Sequence, residues 1–196
     1  MSAQQVNPAP QQFPNFTPDS ALDLLFSVDL ISPQVQAELP ADLHIRPLAS
    51  TDYHRGHLSV LTVLTSVPDP GEAAWLGQFN AIRAAQRTYY TLVIVDKNTD
   101  RIVAVGAVFV ERKFTRNLGL VGHIEDIAVD KQQQGKKLGL RIIHALVYIS
   151  ENSGTYKTIL NCSDHNVPFY EKCGFEKKEN EMAKYAPVKA PQTPKL

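Results

Sequence analysis

Residues 122–139 read GHIEDIAVDKQQQGKKLG, a pattern typical of a strand that leads into the start of a helix. Residues 123–129 are rich in β-branched and apolar side chains, yet they include the adjacent acids Glu125 and Asp126. Carboxylates inside an apolar strand need a reason, because burying an unpaired charge is costly. Regular strand geometry sends neighbouring side chains to opposite faces, so we expect only one of the two acids to face a ligand.

The second half of this stretch indicates a helix N-terminus that binds a diphosphate. An apolar stripe at helical spacing follows it, formed by Leu138, Ile142, Leu146 and Ile149. This spacing places Gly135 and Gly139 in the first helical turn, where unpaired backbone N–H groups and the helix dipole favour an anion. Lys136 and Lys137 add positive charge. Neither GxxxxGK followed by Ser or Thr nor GxGxxG occurs in the chain, so the two common nucleotide loops are excluded.

The composition predicts a soluble protein of one domain. The chain has 196 residues with 20 basic and 20 acidic side chains, and this length suits one domain with a substantial core. The balanced charge gives no sign of a nucleic-acid partner. No run approaches the roughly 20 apolar residues of a membrane helix, and residues 1–14 lack the basic-then-apolar order of a signal peptide. We therefore expect a cytoplasmic protein with no integral membrane segment.

The order of elements predicts a mixed α/β sandwich between two flexible ends. We expect a disordered arm at residues 1–19, which are rich in Gln, Pro, Asn and Ser, a single domain at residues 20–185, and a flexible tail at residues 186–196. The predicted helices are residues 21–30, 51–64, 72–86, 167–172 and a segment that begins near residue 138. The predicted strands are residues 43–48, 91–96, 102–113, 123–129, 158–162 and 175–185. Strands that pair first in hairpins and then alternate with helices favour a mixed sheet over a doubly wound parallel one.

The turn at residues 134–139 resembles the acyl-CoA loop of the GCN5-related N-acetyltransferases (GNAT), which is usually Arg/Gln-Gly-x-Gly-x-Gly/Ala. Lys137 stands where the middle glycine is often found. GHIEDIAV before the loop and FYEKCGF at residues 169–175 narrow the resemblance to the branch of this family that acetylates glucosamine 6-phosphate. The resemblance covers residues 43–184. It implies the GNAT fold, in which a mixed central sheet flanked by helices is splayed to admit acetyl-CoA.

The same resemblance implies an activity and an assembly. The activity is transfer of acetyl from acetyl-CoA to the 2-amino group of D-glucosamine 6-phosphate, a step toward UDP-N-acetylglucosamine. The assembly is a homodimer that exchanges a C-terminal strand, so that each active site is shared. No metal is implied. His123 and Glu125 echo the HxE of zinc deaminases, but no PCxxC follows to complete a metal site.

The residues that the resemblance assigns to acetyl-CoA come from two parts of the chain. Backbone N–H groups of residues 127–129 are expected to bind the thioester oxygen, residues 134–139 to hold the pyrophosphate, Asn166 to bind the pantetheine amides, and Lys172 to reach a phosphate. The phenol of Tyr170 is expected to donate to the departing thiolate. The full set is Ile127, Ala128, Val129, Gln134, Gly135, Lys136, Lys137, Leu138, Gly139, Asn166, Tyr170 and Lys172.

The residues assigned to the sugar are mostly cations, carboxylates and their neighbours. They are Thr65, Lys113, Phe114, Thr115, Arg116, Glu125, Asp126, Tyr156, Lys157 and Lys184. The family carries a bulge near Glu125 and Asp126 that can redirect one of them, so both acids are assigned to the sugar. Glu125 is expected to position the amino sugar and Asp126 to organise the site. The backbone carbonyl of Asn161 is expected to act as base, at a position that is usually Asp in the family. Together with Tyr170, these are the expected catalytic residues. Lys184 lies near the place of an arginine that the partner subunit often supplies in the family, but it offers a point charge instead of a bidentate fork.

Two other functions remain open from the sequence. One is an acetyltransferase for another amine, such as a peptide N-terminus or a polyamine, whose pocket would be acidic or open. The other is a CoA-binding protein that keeps the loop without the chemistry. The cations Lys113, Arg116 and Lys157 argue against a polycationic substrate, and the presence of Tyr170 with the carboxylate pair argues against a silent protein.

Overall fold

The computed structural model describes residues 13–186. The chain divides into two compact units, Met1–Leu160 and Asn161–Leu196. The domain boundaries expected from composition stay a prediction. None of the helices within residues 13–186 is long and apolar enough to cross a membrane.

A five-stranded mixed sheet forms the centre of the first unit, with the strands in sequence order. Strands β1 to β4 pair antiparallel, and β4 pairs with β5 in parallel. The strands are β1 Leu43–Pro47, β2 Tyr89–Asp96, β3 Arg101–Arg112, β4 Leu120–Val129 and β5 Thr155–Ile159. The mixed sheet confirms the predicted fold class. The strand predicted at residues 158–162 begins and ends three residues earlier than expected.

Helices cover both faces of this sheet. They are α1 Pro33–Ala37, α2 His57–Leu61, α3 Glu72–Ala84 and α5 Leu138–Asn152, with a short turn α4 Thr115–Leu118 between β3 and β4. The helix predicted at residues 51–64 is wrong in length, because a left-handed Gly56 at φ 87° immediately precedes α2. The helix predicted at residues 21–30 is also wrong. Two 3-10 turns, Asp19–Ala21 and Val28–Leu30, stand in that region.

The core consists of two layers, one on each side of the sheet. On one face, Trp75 and Phe79 of α3 are buried against the sheet, as the sequence spacing predicts. On the other face, the whole apolar stripe of α5 is buried, from Leu138 through Ile149. Gly106 of β3 allows α5 to approach closely, since a Cβ at that position would collide with the side chain of Ile142.

Part of the expected N-terminal arm contacts the first unit. The hydroxyl of Thr17 donates to Asp100 at 2.7 Å, and Arg55 donates to the same carboxylate at 2.8 Å. The ring of Phe16 packs edge-on against His44. Residues 1–12 lie outside the described residues, so the expectation of disorder there stays a prediction.

The described part of the second unit contains a 3-10 turn, Asp164–Asn166, followed by α6, Val167–Lys172. Helix α6 has the bounds predicted from the sequence. Residues 173–186 form no strand, so the strand predicted at residues 175–185 is wrong for the single chain. A strand is stable only beside a neighbouring strand, and exchange of this segment across a dimer remains a prediction.

Candidate functional site

A β-bulge in β4 determines where the two adjacent carboxylates point. Ala107 of β3 pairs with Glu125, and Val105 pairs with Ala128, so two residues of β4 lie opposite Gly106 alone. Asp126 takes up the extra residue with a left-handed φ of 56°. Aspartate is one of the few non-glycine residues that adopt this conformation readily. Glu125 and Asp126 are both exposed, and because the bulge interrupts the strand at Asp126, regular alternation does not describe this pair.

Gly106 makes this bulge possible. A Cβ at Gly106 would lie 2.6 Å from the Cδ1 atom of Ile127, closer than real Cβ contacts allow. Because glycine leaves that space empty, the side chain of Ile127 fits beside α5 while the acids before it turn outward. The bulge that the family resemblance implies is thus accommodated by a glycine on the neighbouring strand.

The sheet opens beside the same part of β4. Pairing between β4 and β5 runs from Leu120 to His123 on β4 and stops at Ile159 on β5. Within the described residues, no strand pairs with the β5 side of residues 124–129. The backbone edge of this half is therefore available to a ligand that supplies hydrogen-bonding groups. This geometry agrees with the splayed sheet that the resemblance implies.

The turn between β4 and α5 has the conformation of an anion cradle. Gly135 has a φ of 84°, and Lys137 has a φ of 60° at the N-cap of α5. The Lys137 side chain makes no cap hydrogen bond, so it does not occupy the first N–H groups of the helix. Gly139 lies in the first helical turn, as expected, but Gly135 precedes the helix, which corrects the sequence interpretation.

Exposed polar side chains surround this turn. Gln134, Gly135, Lys136 and Lys137 are exposed, whereas Leu138 is buried and anchors the helix start. The Nζ atom of Lys136 donates to Gln133 at 2.6 Å. The exposed N–H groups, two lysines and a small residue at φ 84° together suit a pyrophosphate.

On one face of the sheet, Glu111 joins the side chains of Lys113 and His123. Its carboxylate accepts hydrogen bonds from Lys113 Nζ at 2.8 Å and from His123 Nε2 at 2.9 Å. These two bonds hold the pKa of Glu111 below its ordinary value. The His123 ring stacks on Phe109, with centroids 4.4 Å apart. Since side chains two residues apart share a strand face, His123 lies on the same side as Glu125.

Glu111 and His123 were not among the predicted site residues. Glu111 lies two residues before Lys113, and His123 lies two residues before Glu125. The period of a strand face was therefore a usable signal, once Lys113 and Glu125 had been singled out.

The turn after β3 brings three of the predicted sugar-side residues together. The guanidinium of Arg116 lies 5.9 Å from the centre of the Tyr156 ring, and Lys157 Nζ lies 6.0 Å from the same centre. Arg116 has a left-handed φ of 55°, and the next two residues, Asn117 and Leu118, have φ values of 55° and 59°. Phe114 and Thr115 are exposed in this turn. Two cations on one aromatic ring give a local positive patch.

The remaining sugar-side residue of the first unit is Thr65. It is exposed and lies in the connection between α2 and α3. No hydrogen bond joins its side chain to another of the described residues. The structure thus gathers Lys113 around Glu111 and gathers Arg116 with Lys157 around Tyr156, while Thr65 is not tied to either group.

The predicted residues of the second unit lie on and around α6. The ring of Tyr170 packs edge-on against Phe169, at 5.0 Å between centroids, and against Phe175, at 6.2 Å. Asn166 immediately precedes α6 and its side chain makes no cap hydrogen bond. Lys172 ends the helix. Asn161 and Lys184 are exposed outside regular structure, and Asn166 is exposed at the end of the 3-10 turn.

The described residues contain no group of three or more His, Cys, Asp or Glu side chains that could hold a metal ion. Two exposed carboxylates, a cradle for a diphosphate and cations for a phosphate are the features that the site does offer. These features suit group transfer from a phosphorylated carrier to a phosphorylated acceptor.

Comparison with known proteins places the chain among acetyltransferases. A model of the acetyltransferase (GNAT) domain matches residues 53–185. Glucosamine 6-phosphate N-acetyltransferase 1 of Dictyostelium discoideum is 45% identical over 146 residues, which are 74% of this chain and 92% of that protein. The glucosamine 6-phosphate N-acetyltransferase of Candida albicans is 40% identical over 138 residues, 70% of this chain and 92% of that protein.

A solved structure agrees with these relatives. The crystal structure of glucosamine-6-phosphate N-acetyltransferase from Arabidopsis thaliana matches with a TM-score of 0.72 and 37% identity, over 73% of this chain and 97% of that chain. The match confirms the family resemblance seen in the loop and its flanking motifs. The chain therefore belongs to the GNAT acetyltransferases and, within them, to the glucosamine 6-phosphate N-acetyltransferase family.

Proposed function

We propose that this chain transfers acetyl from acetyl-CoA to the 2-amino group of D-glucosamine 6-phosphate. The products are N-acetyl-D-glucosamine 6-phosphate and CoA, on the route to UDP-N-acetylglucosamine. The observation that carries the proposal is the arrangement of β4, which presents Glu125 and Asp126 at a bulge and ends at the anion cradle of residues 134–139. One strand and one turn thus serve both substrates.

The residues of the cradle fit acetyl-CoA. The left-handed Gly135 and the N–H groups at the start of α5 suit the pyrophosphate, with Lys136 and Lys137 as counter-charges. The open edge of β4 suits the pantetheine arm, whose amides pair with an exposed strand edge as a peptide does. Backbone N–H groups of residues 127–129 lie along that half of the strand, and N–H groups aimed at a thioester oxygen stabilise the oxyanion that develops there.

The cations near the bulge suit the sugar phosphate. Lys113 is paired with Glu111, so substrate phosphate must compete with that carboxylate for the ammonium group. His123 donates to the other oxygen of Glu111, so this carboxylate keeps one hydrogen bond when Lys113 turns to phosphate. Arg116 and Lys157 offer two further positive charges around Tyr156.

Three roles remain for acid–base chemistry. Glu125 positions the amino group, with Asp126 supporting the site. The carbonyl of Asn161 accepts a hydrogen bond from the attacking amine and orients its lone pair toward the thioester carbon, and the proton that the amine loses passes to solvent or to the departing thiolate. The phenol of Tyr170 donates to the departing thiolate, an interaction that strengthens as charge develops, so Tyr170→Phe should lower kcat more than it weakens CoA binding.

We also infer a cytoplasmic homodimer with shared active sites. The single chain leaves residues 173–186 without a strand partner, and the family resemblance supports an exchanged strand. Lys184 would then serve the site of the partner. Sedimentation of the purified chain tests the assembly. Mixing Glu125→Gln and Lys184→Gln chains under exchange conditions tests the sharing, because one wild-type site should reappear in each mixed dimer.

The release of free thiol from acetyl-CoA tests the activity. The acceptors to compare are glucosamine 6-phosphate, glucosamine, spermidine and a peptide with a free N-terminus. We expect rapid release only with glucosamine 6-phosphate, and a much higher KM with glucosamine because it lacks the phosphate. Release only with spermidine or peptide would overturn the sugar assignment, and release with none of the four would indicate a CoA-binding protein without this activity.

A further inference from the structure

A cavity of about 620 Å³ lies at the end of the sheet where β2 and β4 begin and β3 ends. Its walls come from the end of α3 and the following loop, the last turn of α5, and the chain before α1. The acetyl-CoA cradle follows the other end of β4, nine residues along the strand, which is about 30 Å at the rise of a strand. The volume lies within the range of small-molecule sites. This cavity is therefore separate from the cradle.

The charged residues that line this cavity are basic. Arg83, Arg87 and Arg112 contribute to its lining, and none of the described lining residues is Asp or Glu. Arg83 is compensated by Asp23 outside the lining, with 2.6 Å between their charged atoms. Arg112 binds only neutral groups, the hydroxyl of Thr88 at 3.1 Å and the carbonyl oxygen of Arg87 at 3.2 Å.

These hydrogen bonds hold two guanidinium-bearing residues side by side. The guanidinium of Arg112 donates to the backbone carbonyl of Arg87, and Arg87 itself has a left-handed φ of 57°. A non-glycine residue in this conformation costs about 1 kcal/mol, and such strain is concentrated at binding sites. Arg87 and Arg112 both contribute to a lining that contains no carboxylate among the described residues, which favours an anion in this cavity.

The rest of the lining is apolar and aromatic. Phe26 and Tyr90 pack edge-on at 5.2 Å between ring centroids. Tyr89 also contributes to the lining, but its ring packs against Phe109 of β3. Rings of this kind offer faces on which a flat ligand group stacks. The carbonyls of Ile149, Ser150 and Glu151 at the end of α5 accept hydrogen bonds from the residues that follow the helix. The end of α5 still carries the negative end of the helix dipole, so the arginines of the lining must outweigh it when an anion binds.

We propose that this cavity is a binding site for a small planar organic anion, such as an aryl carboxylate, sulfonate or phosphate. The guanidinium groups of Arg87 and Arg112 bind the anionic group, and the aromatic wall binds the ring. This cavity and the sugar site lie on opposite faces of β3. Arg112 points into the cavity, whereas its neighbours Glu111 and Lys113 lie on the opposite strand face.

Fluorescence titration of the full chain with 1-anilinonaphthalene-8-sulfonate tests this proposal. We expect one probe per chain that saturating CoA and glucosamine 6-phosphate do not displace. Arg87→Gln and Arg112→Gln should each weaken this binding about tenfold, the effect of losing a charge-assisted hydrogen bond. N-phenyl-1-naphthylamine, the same ring system without the sulfonate, should bind weakly and with equal affinity to all variants.

The matched control is Lys178→Gln, which removes one exposed positive charge from the second unit. It should leave probe affinity unchanged. Arg112→Lys serves as a second variant that keeps the charge, and native near-UV circular dichroism establishes that each variant is folded. Complete displacement of the probe by CoA, or equal affinity in folded Arg87→Gln and wild-type chains, would overturn the proposal.

Discussion

The two halves of strand β4 are built differently, although they form one continuous strand. Residues 120–123 pair with β3 on one side and with β5 on the other. Among the described strands, residues 124–129 pair with β3 alone, and the bulge at Asp126 interrupts the alternation of their side chains. The first half, which we call the closed half, therefore holds the sheet together. The second, the open half, presents backbone and carboxylates to ligands.

Glu125→Gln tests the open half and should have the largest effect. If Glu125 positions the amino sugar, removing its charge lowers kcat/KM for glucosamine 6-phosphate by about 100- to 1000-fold. Because Glu125 is exposed, the free energy of unfolding should change by less than about 0.5 kcal/mol. Steady-state kinetics and urea unfolding measure the two quantities.

Asp126→Asn is the matched control for this prediction. Asparagine tolerates the left-handed conformation of residue 126 as aspartate does, so the variant removes a charge and preserves the bulge. We expect a smaller loss of activity than in Glu125→Gln. A loss of unfolding free energy in Glu125→Gln that accounted for its lost activity would show that the open half is structural as well, and the contrast between the halves would fail.

Acidification should destabilise the layer around α2, which packs against β3 and β4. His57 of α2 is partly buried, and its Nδ1 atom accepts a hydrogen bond from Trp75 Nε1 at 3.2 Å. Burial lowers the pKa of His57 from 6.5 to about 4. The unfolded chain therefore takes up a proton first as the pH falls. Stability is fully present above about pH 6.5 and is lost progressively down to about pH 4, by about 3 kcal/mol.

Urea unfolding at pH 7, 5.5 and 4 measures this loss. His57→Gln removes the titrating group, so its unfolding free energy should fall less between pH 7 and pH 4 than that of the wild type. An equal fall in both chains would assign the acid sensitivity to other groups. In that case, His57 would not be the source of the pH response, and neither would α2, which packs against β3 and β4.

Gly122→Ala tests the closed half. A Cβ at Gly122 would collide with the hydroxyl of Ser150, which is fully buried and hydrogen-bonds to Thr155 and Thr158 at 2.8 Å each. We expect a loss of about 2 kcal/mol in unfolding free energy, as for other overpacked cores. In contrast to Glu125→Gln, kcat/KM of the folded enzyme should stay within about twofold of wild type.

A double-mutant cycle with Ser150→Ala shows whether this contact is the cause. Ser150→Ala alone should be destabilising, because it leaves two hydroxyls of β5 without their partner. Combined with Gly122→Ala, it removes the colliding atom, so the double variant should lose less than the sum of the single variants. Strict additivity would place the strain of Gly122→Ala elsewhere in the closed half.

The sequence predicted the closed parts of the molecule better than the open ones. The stripe from Leu138 to Ile149 and the buried face of α3 follow from helical spacing, because packing against the sheet imposes that period on the residues themselves. Strand register is different. The bulge depends on Gly106, which lies far from Asp126 in the chain, so local alternation alone could not predict the strand geometry at the two acids.

The candidate site was predicted in part for the same reason. Motifs identified the cradle at residues 134–139 and the cations Arg116 and Lys157, which the structure brings to one ring. Glu111 was missed because an acid followed directly by Arg112 and Lys113 resembles an ordinary surface ion pair. Its significance depends on His123, which only the pairing of β3 with β4 brings within 2.9 Å.

Lys137→Gly should have the smallest effect of these substitutions. It tests the turn that follows the open half of β4. Lys137 has a φ of 60° where the family often has glycine. Glycine would relieve a cost of about 1 kcal/mol for the left-handed conformation but lose about as much through the entropy of the unfolded chain. The unfolding free energy should therefore change by less than about 0.5 kcal/mol.

Lys136→Gly is the control that separates charge from conformation. It removes the same charge one residue earlier, where φ is not positive, so it should only lose stability, by about 0.5 to 1 kcal/mol. If Lys137 is retained for its charge, both variants weaken CoA binding in isothermal titration, by about two- to fivefold at low salt and less at high salt. Unchanged CoA affinity in Lys137→Gly alone would mean that the backbone of the cradle carries the affinity at this position, and that the lysine side chain contributes no measurable charge to it.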